Sequence, residues 1–315
     1  MCMGQITVIL RRGNQNWIFG AFANDIKLYT KASVFFFPMK KKQLWTFIRY
    51  KIFFKPQGTI VVLHQELFYQ LKKSRKDLDN CKIIVLYTHT HDTEEVNLLN
   101  LEYLKSAHKI LVHSTEIKNQ IIMHLGIELS KKIKVIIGGA DVSYFKPLEV
   151  TKSLRSVIFV ARLAKRKRPD LIIETVRSNP KFNFTLHGQD WENTQYLVNL
   201  KTYRNFAYYK FNFKNSNYLY NQNNIFLCLS DIEGGPIPAL EALAAGCKVI
   251  MTDTGFARDL KNLTNSIIII PTNPSPFEVT SALNKCLNLP NPNRNIVENF
   301  RYDHFLNELT SLIND

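Results

Sequence analysis

IFLCLSDIEGGPIPALEALAAGCKVIMTDTG, residues 225–255, decides how the rest of the chain is read. The apolar run over 225–230 predicts a buried strand, because a strand covered on both faces of its sheet shows no polar alternation. Residues 233–236, Glu-Gly-Gly-Pro, predict a tight loop, and the Ala- and Leu-rich 237–245 a helix. A second apolar run over 248–253 predicts another buried strand. The product is a β-loop-α-β unit, the repeating piece of a parallel α/β sheet.

In open parallel sheets ligands collect at the carboxyl ends of the strands, where a helix begins and its free N–H groups carry partial positive charge. Gly234 and Gly235 allow close approach to the backbone there, and Pro236 near the first helical turn forfeits no hydrogen bond. A phosphate or a sugar hydroxyl suits such a loop. Glu233 lies in the loop and Glu241, eight residues on, about one turn inside the helix. Two glutamates so spaced would by themselves be ordinary solvated helix positions.

The whole string EGGPIPALEALAAG is more specific, and with its E-x7-E spacing it resembles the donor-site signature of retaining GT-B glycosyltransferases of the group 1 (GT4-like) family. The resemblance implies that Glu233 faces the donor sugar and Glu241 binds the ribose hydroxyls. It also implies that the loop of Gly234 and Gly235, through the amides of Gly235 and Ile237, contacts the sugar and phosphates. SVIFVA at 156–161 predicts a buried strand running into Arg162, with Lys167 five residues later. The family carries an arginine and a lysine at this spacing on the donor diphosphate. Paired cations beside a helix start stabilise the charge that develops as a sugar–phosphate bond breaks. Lys165, Arg166 and Arg168 in the same run read as solvated charges, or as a source of longer-range attraction.

The bounds agree with an α/β protein of this kind. At 315 residues the chain holds two domains more naturally than one. No run of eighteen apolar residues occurs, so no transmembrane helix is expected, and the apolar part of MCMGQITVILRR is too short for a signal peptide. The five cysteines, Cys2, Cys81, Cys228, Cys247 and Cys286, lack CxxC spacing and read as reduced, partly buried cytosolic thiols. Net charge is +15, which attracts something anionic and leaves nucleotide sugar, nucleic acid and anionic membrane all open. Basic residues spread over both halves, with no RRM or KH motif, speak against nucleic acid.

Along the chain, a strand over 5–10 followed by Gly13 and an amphipathic segment over 17–29 opens a Rossmann-like half, without the GxGxxG that NAD would require. By resemblance Gly13 lies beneath the donor phosphates; a plain turn is the equal alternative. Residues 33–37 predict a second strand. Residues 38–56, PMKKKQLWTFIRYKIFFKP, interleave lysines and arginine with aromatic rings at helical spacing. That composition suits a helix lying on an anionic membrane surface, and equally a helix covering the sheet with solvated lysines.

Strands over 58–64 and 82–89 each end in a histidine. YTHTHD at 87–92 resembles the family's strand that closes on a histidine reaching the donor sugar, with His89 the matching residue. A metal site at His89 and His91 is disfavoured, since no other ligand cluster accompanies them. KILVH at 109–113 predicts a strand, with Ser114 capping a helix over 116–125. The hinge is placed at 138–150. In the second half FNFTL at 182–186 predicts a strand entering a glycine loop, 206–213 a weak strand, 215–224 a short helix and turn, and 266–271 a last strand. The C-terminal segment spaces Phe305, Leu306, Leu309, Leu312 and Ile313 on one helical face.

The expected architecture is therefore α/β, GT-B: two Rossmann-like doubly wound domains facing across a cleft. Residues 1–140 form an N-terminal acceptor domain, 151–295 a nucleotide-sugar donor domain, and 296–315 a helix packing back across both. The expected activity is metal-independent, retaining hexosyl transfer from a UDP- or GDP-sugar to a hydroxyl of a saccharide or lipid-linked acceptor, in cell-surface polysaccharide or glycolipid synthesis. No cofactor, metal or nucleic acid is expected. The expected location is the cytoplasm, with peripheral contact at the inner face of the membrane if 38–56 binds lipid. The alternatives are a nucleotide-sugar epimerase of the same fold and a non-enzymatic basic module binding RNA or membrane.

Overall fold

The computed structural model describes residues 5–11, 18–37, 48, 52–88 and 101–314. The chain divides into two compact units, Met1–Ile136 with Phe305–Asp315, and Ile137–His304.

The first unit is built on six parallel strands, β1 (Ile6–Arg11), β2 (Ser33–Phe37), β3 (Thr59–Val62), β4 (Lys82–Tyr87), β5 (Lys109–Val112) and β6 (Ile133–Val135). Their order across the sheet is β2-β1-β3-β4-β5-β6. Ile60, Val62, Val85, Ile110 and Val112 form one core with Leu67 and Leu71 of the Gln65–Ser74 helix and Ile117 and Ile121 of the Thr115–Leu125 helix. Ser114 caps the latter as expected, its hydroxyl accepting from the Ile117 N–H at 3.2 Å. The last helix, Tyr302–Asn314, buries Phe305, Leu306, Leu309 and Ile313. The Phe305 ring lies 4.9 Å from Phe22 and 5.8 Å from His113, which fixes the end of the chain to the first unit.

The second unit also has six parallel strands: β7 (Ser156–Arg162), β8 (Asn183–Gln189), β9 (Phe206–Lys210), β10 (Ile225–Cys228), β11 (Lys248–Thr252) and β12 (Ile267–Ile270). The order is β12-β11-β10-β7-β8-β9. Every residue of β10 and β11 is buried, which is why β10 reads as an unbroken apolar run and β11 shows no polar alternation between Lys248 and Thr252. One layer of side chains, including Leu240, Leu243, Phe256 and Leu260, covers one face; Leu171, Ile172, Val279 and Leu283 cover the other. Residues 138–150, expected as the hinge, belong to this unit. Ala140 N–H donates to Phe300 O at 2.9 Å, Tyr302 N–H donates to Ala140 O at 3.0 Å, and a Cβ on Gly139 would lie 2.5 Å from the Tyr302 Cα. Cys81, Cys228, Cys247 and Cys286 are free and buried. Among the described residues no helix is long and apolar enough to cross a membrane.

Candidate active site

The chain runs from β7 through β8 to β9 on one side of the second sheet, then returns to place β10 beside β7 and continues outward to β11 and β12. The switch point of this α/β sheet therefore lies between β7 and β10, where two successive connections leave in opposite directions and open a crevice. The segments leaving those two strands are 163–168 and 229–236. They are joined through the backbone, the Asp231 N–H donating to Arg166 O at 2.8 Å. Lys165–Lys167 is a single 3-10 turn, and Arg168 beyond it adopts a left-handed φ of 53° before Pro169 opens the Pro169–Ser178 helix. The guanidinium of Arg168 holds this turn by ion pairing to Asp231 at 3.0 Å and donating to Asn273 at 2.9 Å.

Glu233 stands at the centre. It is 7% exposed, ion-paired to Lys167 through a short hydrogen bond and to Arg166 Nη1 at 2.9 Å. Burial pushes its carboxyl up, but the charges of Lys167 and Arg166 and hydrogen bonds from Lys167 and Ser230 outweigh this and hold it at about 2. Its own N–H donates to Thr254 Oγ1 at 2.9 Å, which fixes the loop to the segment after β11. Gly255, at φ +60°, packs against the same loop. A Cβ there would lie 3.1 Å from Gly235 N and 3.2 Å from Glu233 O, tighter than most side chains sit, and at a left-handed φ besides.

The Ile237–Ala244 helix starts directly after this loop, with Pro236 as its N-cap and Pro238 in its first turn. No side chain caps it; Pro238 has no N–H and the Ala239 N–H donates to Pro236 O at 2.8 Å, which leaves the N–H of Ile237 as the donor the first turn offers beside the Gly234–Gly235 turn. Glu241, half-buried one turn in, accepts a hydrogen bond from Tyr220 Oη at 2.9 Å. Burial pushes its carboxyl up to about 7, against the pull of that hydrogen bond. Tyr220 is itself fully buried, and its hydroxyl is raised well above the ordinary phenol range by burial and the neighbouring Glu241.

Arg162, at the end of β7, does not join the Glu233 cluster. Its Nε reaches Asp190 Oδ2 at 2.6 Å, and 55% of its side chain is exposed. Asp190, at φ 65°, turns the chain out of β8 towards Trp191, whose indole N–H donates to Ala161 O at 2.9 Å. Gly13, His89, His91 and Asp92 lie outside the described residues, as does all of 38–56 except 48 and 52–56. Among the described residues no group of three His, Cys, Asp or Glu side chains is placed to hold a metal ion.

The family model for glycosyl transferases group 1 matches residues 143–302, just over half of the chain and nearly all of the second unit. The chain belongs to this family. Over 116 residues it is 27% identical to the O-antigen biosynthesis glycosyltransferase WbnH of Escherichia coli, a match that takes in 33% of this chain and only 30% of that relative's length. Among solved structures, Anabaena HepE in complex with UDP and glucose superposes with a TM-score of 0.76 at 14% identity, over 98% of this chain and 99% of that one. Sucrose-phosphate synthase from Thermosynechococcus elongatus gives 0.73 at 13% identity, over 98% of each chain. At such identities the likeness shows the fold, which is GT-B, in keeping with the two six-stranded parallel sheets.

Within this group 1 member three site residues escaped the sequence reading. Arg166, read as solvated, is instead on Glu233, and its Nη1 also donates to Ile232 O at 3.0 Å. Arg168, read the same way, is built into the turn below it. A partial signal for both was present in the Lys-Arg-Lys-Arg-Pro run, since a proline that starts a helix marks a turn in the residues before it, and a turn lets neighbouring side chains face the same loop. For Tyr220, which arrives from a different helix, no local signal exists.

Proposed function

We propose that the second unit binds a nucleoside diphosphate sugar at the β7/β10 switch point and that the protein transfers the sugar to an acceptor hydroxyl. The observation that carries this reading is the buried Glu233 paired with the half-buried Lys167 and Arg166, set beside the start of the Ile237–Ala244 helix. Two cations and the Ile237 amide beside one carboxylate suit a ligand with both phosphates and hydroxyls. In this reading Lys167 and the amides of Gly235 and Ile237 hold the diphosphate, joined by Arg162 once its guanidinium turns from Asp190. Glu233 receives sugar hydroxyls and Glu241, poised by Tyr220, the ribose diol.

The reaction breaks the bond between the anomeric carbon and the β-phosphate oxygen, and the pair of electrons leaves with the nucleoside diphosphate. The acceptor oxygen bonds to the same carbon from the face the phosphate vacates, so configuration is retained, and its proton passes to a phosphate oxygen. The cations and amides lower the barrier by stabilising the developing phosphate charge. The UDP in the HepE complex favours a UDP-sugar as donor. The O-antigen relative favours a saccharide or lipid-linked acceptor of a surface polysaccharide. Independence of metal belongs to the same proposal, with turnover unchanged by EDTA as its check.

A thermal-shift series with UDP, GDP, ADP and CMP tests the reading, since a ligand of the folded state raises the melting temperature. One diphosphate is expected to give a shift that Lys167→Ala abolishes. Donor turnover, followed by release of the nucleoside diphosphate, is expected to vanish in Glu233→Ala. A folded Glu233→Ala variant with full turnover refutes the assignment.

A further inference from the structure

Residues 193–230 contain no aspartate or glutamate, although the chain carries 26 of them, while Lys201, Arg204, Lys210 and Lys214 fall within that stretch. This stretch supplies an edge of the second sheet, since among the described residues β9 pairs with β8 alone. Where β9 ends, seven successive residues, 209–215 (YKFNFKN), are all exposed. Tyr209 is 47% exposed, Phe213 49%, and Tyr218 on the following helix 50%. An exposed aromatic run of this length is costly to leave in water and marks a contact surface when it is built rigidly.

The run is rigid. The Phe211 N–H donates to Gly188 O at 2.8 Å, and its ring lies 4.9 Å from that of His187. Phe213 stacks on Tyr144 with ring centroids 4.9 Å apart, and the Tyr144 hydroxyl donates to the Phe213 carbonyl at 2.8 Å. Asn212 caps the Phe213–Asn221 helix through its side chain. The rings are thus held outward by the fold rather than left on a frayed loop. Lys210 reaches Glu192 at 3.3 Å, whereas among the described residues Lys201, Arg204 and Lys214 pair with no carboxylate.

We propose that this edge, centred on Tyr209, Phe211, Phe213 and Lys214, docks the second unit onto an anionic phospholipid surface. Rings of this size enter the headgroup zone, and the flanking cations meet the lipid phosphates. Charge selects this occupant. A second copy of the chain would bring the same uncompensated cations to the same edge, where they repel, and lysines on an edge strand are what keep two sheets from joining. Because Phe211 is tied to Gly188, the bilayer meets the same carboxyl end of the sheet that carries Arg162 and Asp190. The inference stands apart from the transferase reading, since it requires no donor or acceptor.

Cosedimentation of the full chain with phosphatidylglycerol–phosphatidylcholine vesicles, and with phosphatidylcholine alone, tests it. Binding is expected only to the anionic vesicles, to fall with added salt, and to weaken at least about tenfold in Phe211→Ser/Phe213→Ser and in Lys210→Glu/Lys214→Glu. An unchanged melting temperature shows that these surface variants fold. Lys40→Glu/Lys41→Glu/Lys42→Glu separates this edge from residues 38–56. Anionic binding that disappears in that variant, yet survives both edge variants, overturns the proposal. So does absence of binding by the parent, a dimer that both edge variants dissolve, or single-stranded RNA bound in preference to the vesicles and lost in both edge variants.

Discussion

Replacing Glu233 by Gln removes one negative charge from between Lys167 and Arg166 while keeping the shape of the side chain. The carboxyl is held at about 2 against an ordinary 4.5, a difference that corresponds to on the order of 3 kcal/mol favouring the folded state when the group is ionised. Removing one partner from a buried pair and leaving the other uncompensated costs about 3–5 kcal/mol in other proteins, so the two figures agree. The sign follows from linkage. The folded-state value is depressed, so the contribution is complete above 4.5 and is lost as pH falls from there towards 2. Urea titrations followed by circular dichroism are therefore expected to show Glu233→Gln about 3 kcal/mol less stable than the parent at pH 7. That gap is expected to narrow steadily below pH 4.5. Lys167→Met added to Glu233→Gln is expected to cost much less than the sum of the two single changes, because each already removes their shared interaction. A gap that stays constant from neutral pH down to about pH 3, or strict additivity of the two substitutions, refutes the electrostatic account.

Glu241→Gln is expected to behave in the opposite sense. Its carboxyl is raised from 4.5 to about 7, so the folded parent loses stability as pH climbs through that window, and pH–stability curves of the Gln variant should be flatter there. Tyr220→Phe removes the hydrogen bond to Glu241 and is expected to cost about 1 kcal/mol in urea titration while moving the Glu241 transition to higher pH. Gly188→Ala places a Cβ 2.6 Å from Trp191 Cδ1 and 3.0 Å from Ala161 O, and a loss of about 1–3 kcal/mol is expected, with Trp191 fluorescence reporting the disturbed packing. Lys152→Met strips the carbonyls of Ala245 and Gly246, at 3.1 and 3.4 Å, of the ammonium that caps the Ile237–Ala244 helix, for an expected loss of about 1 kcal/mol at the thermal midpoint.

Much of the second unit was legible because its signals are local. The 225–230 run ends as β10, Ile225–Cys228, and the 237–245 helix as Ile237–Ala244, differences of a residue or two where caps and strand ends fray. The segment 206–213 read as a weak strand for a reason now visible: β9 is an edge, with Phe206 packed inward and Tyr209 and Lys210 outward, so its apolar pattern is diluted. What stayed hidden is whatever the fold brings from afar. Tyr220 meets Glu241 across 21 positions and Arg166 meets Glu233 across 67, and neither spacing leaves a mark in the string. The one strong long-range expectation, that Lys167 belongs with the loop at 233–236, came from resemblance and not from periodicity.

The two glutamates of the E-x7-E motif show why spacing alone leaves the chemistry open. Both are withdrawn from solvent and both pay desolvation, yet Glu233 has two cations against it and Glu241 only a phenol hydroxyl. The first is an obligate anion near neutral pH. The second is raised by burial to about 7, which brings its acid form within reach near neutral pH. Opposed environments of this kind are how one motif supplies two roles. Under the proposed function, an obligate anion beside Lys167 would keep that cation neutralised until a diphosphate competed for it, and a carboxyl raised towards neutrality would suit a ribose diol that offers donors and acceptors together. The difference between Glu233 and Glu241 thus comes from what surrounds each carboxyl, and the surroundings come from Lys167, Arg166 and Tyr220 rather than from the motif itself.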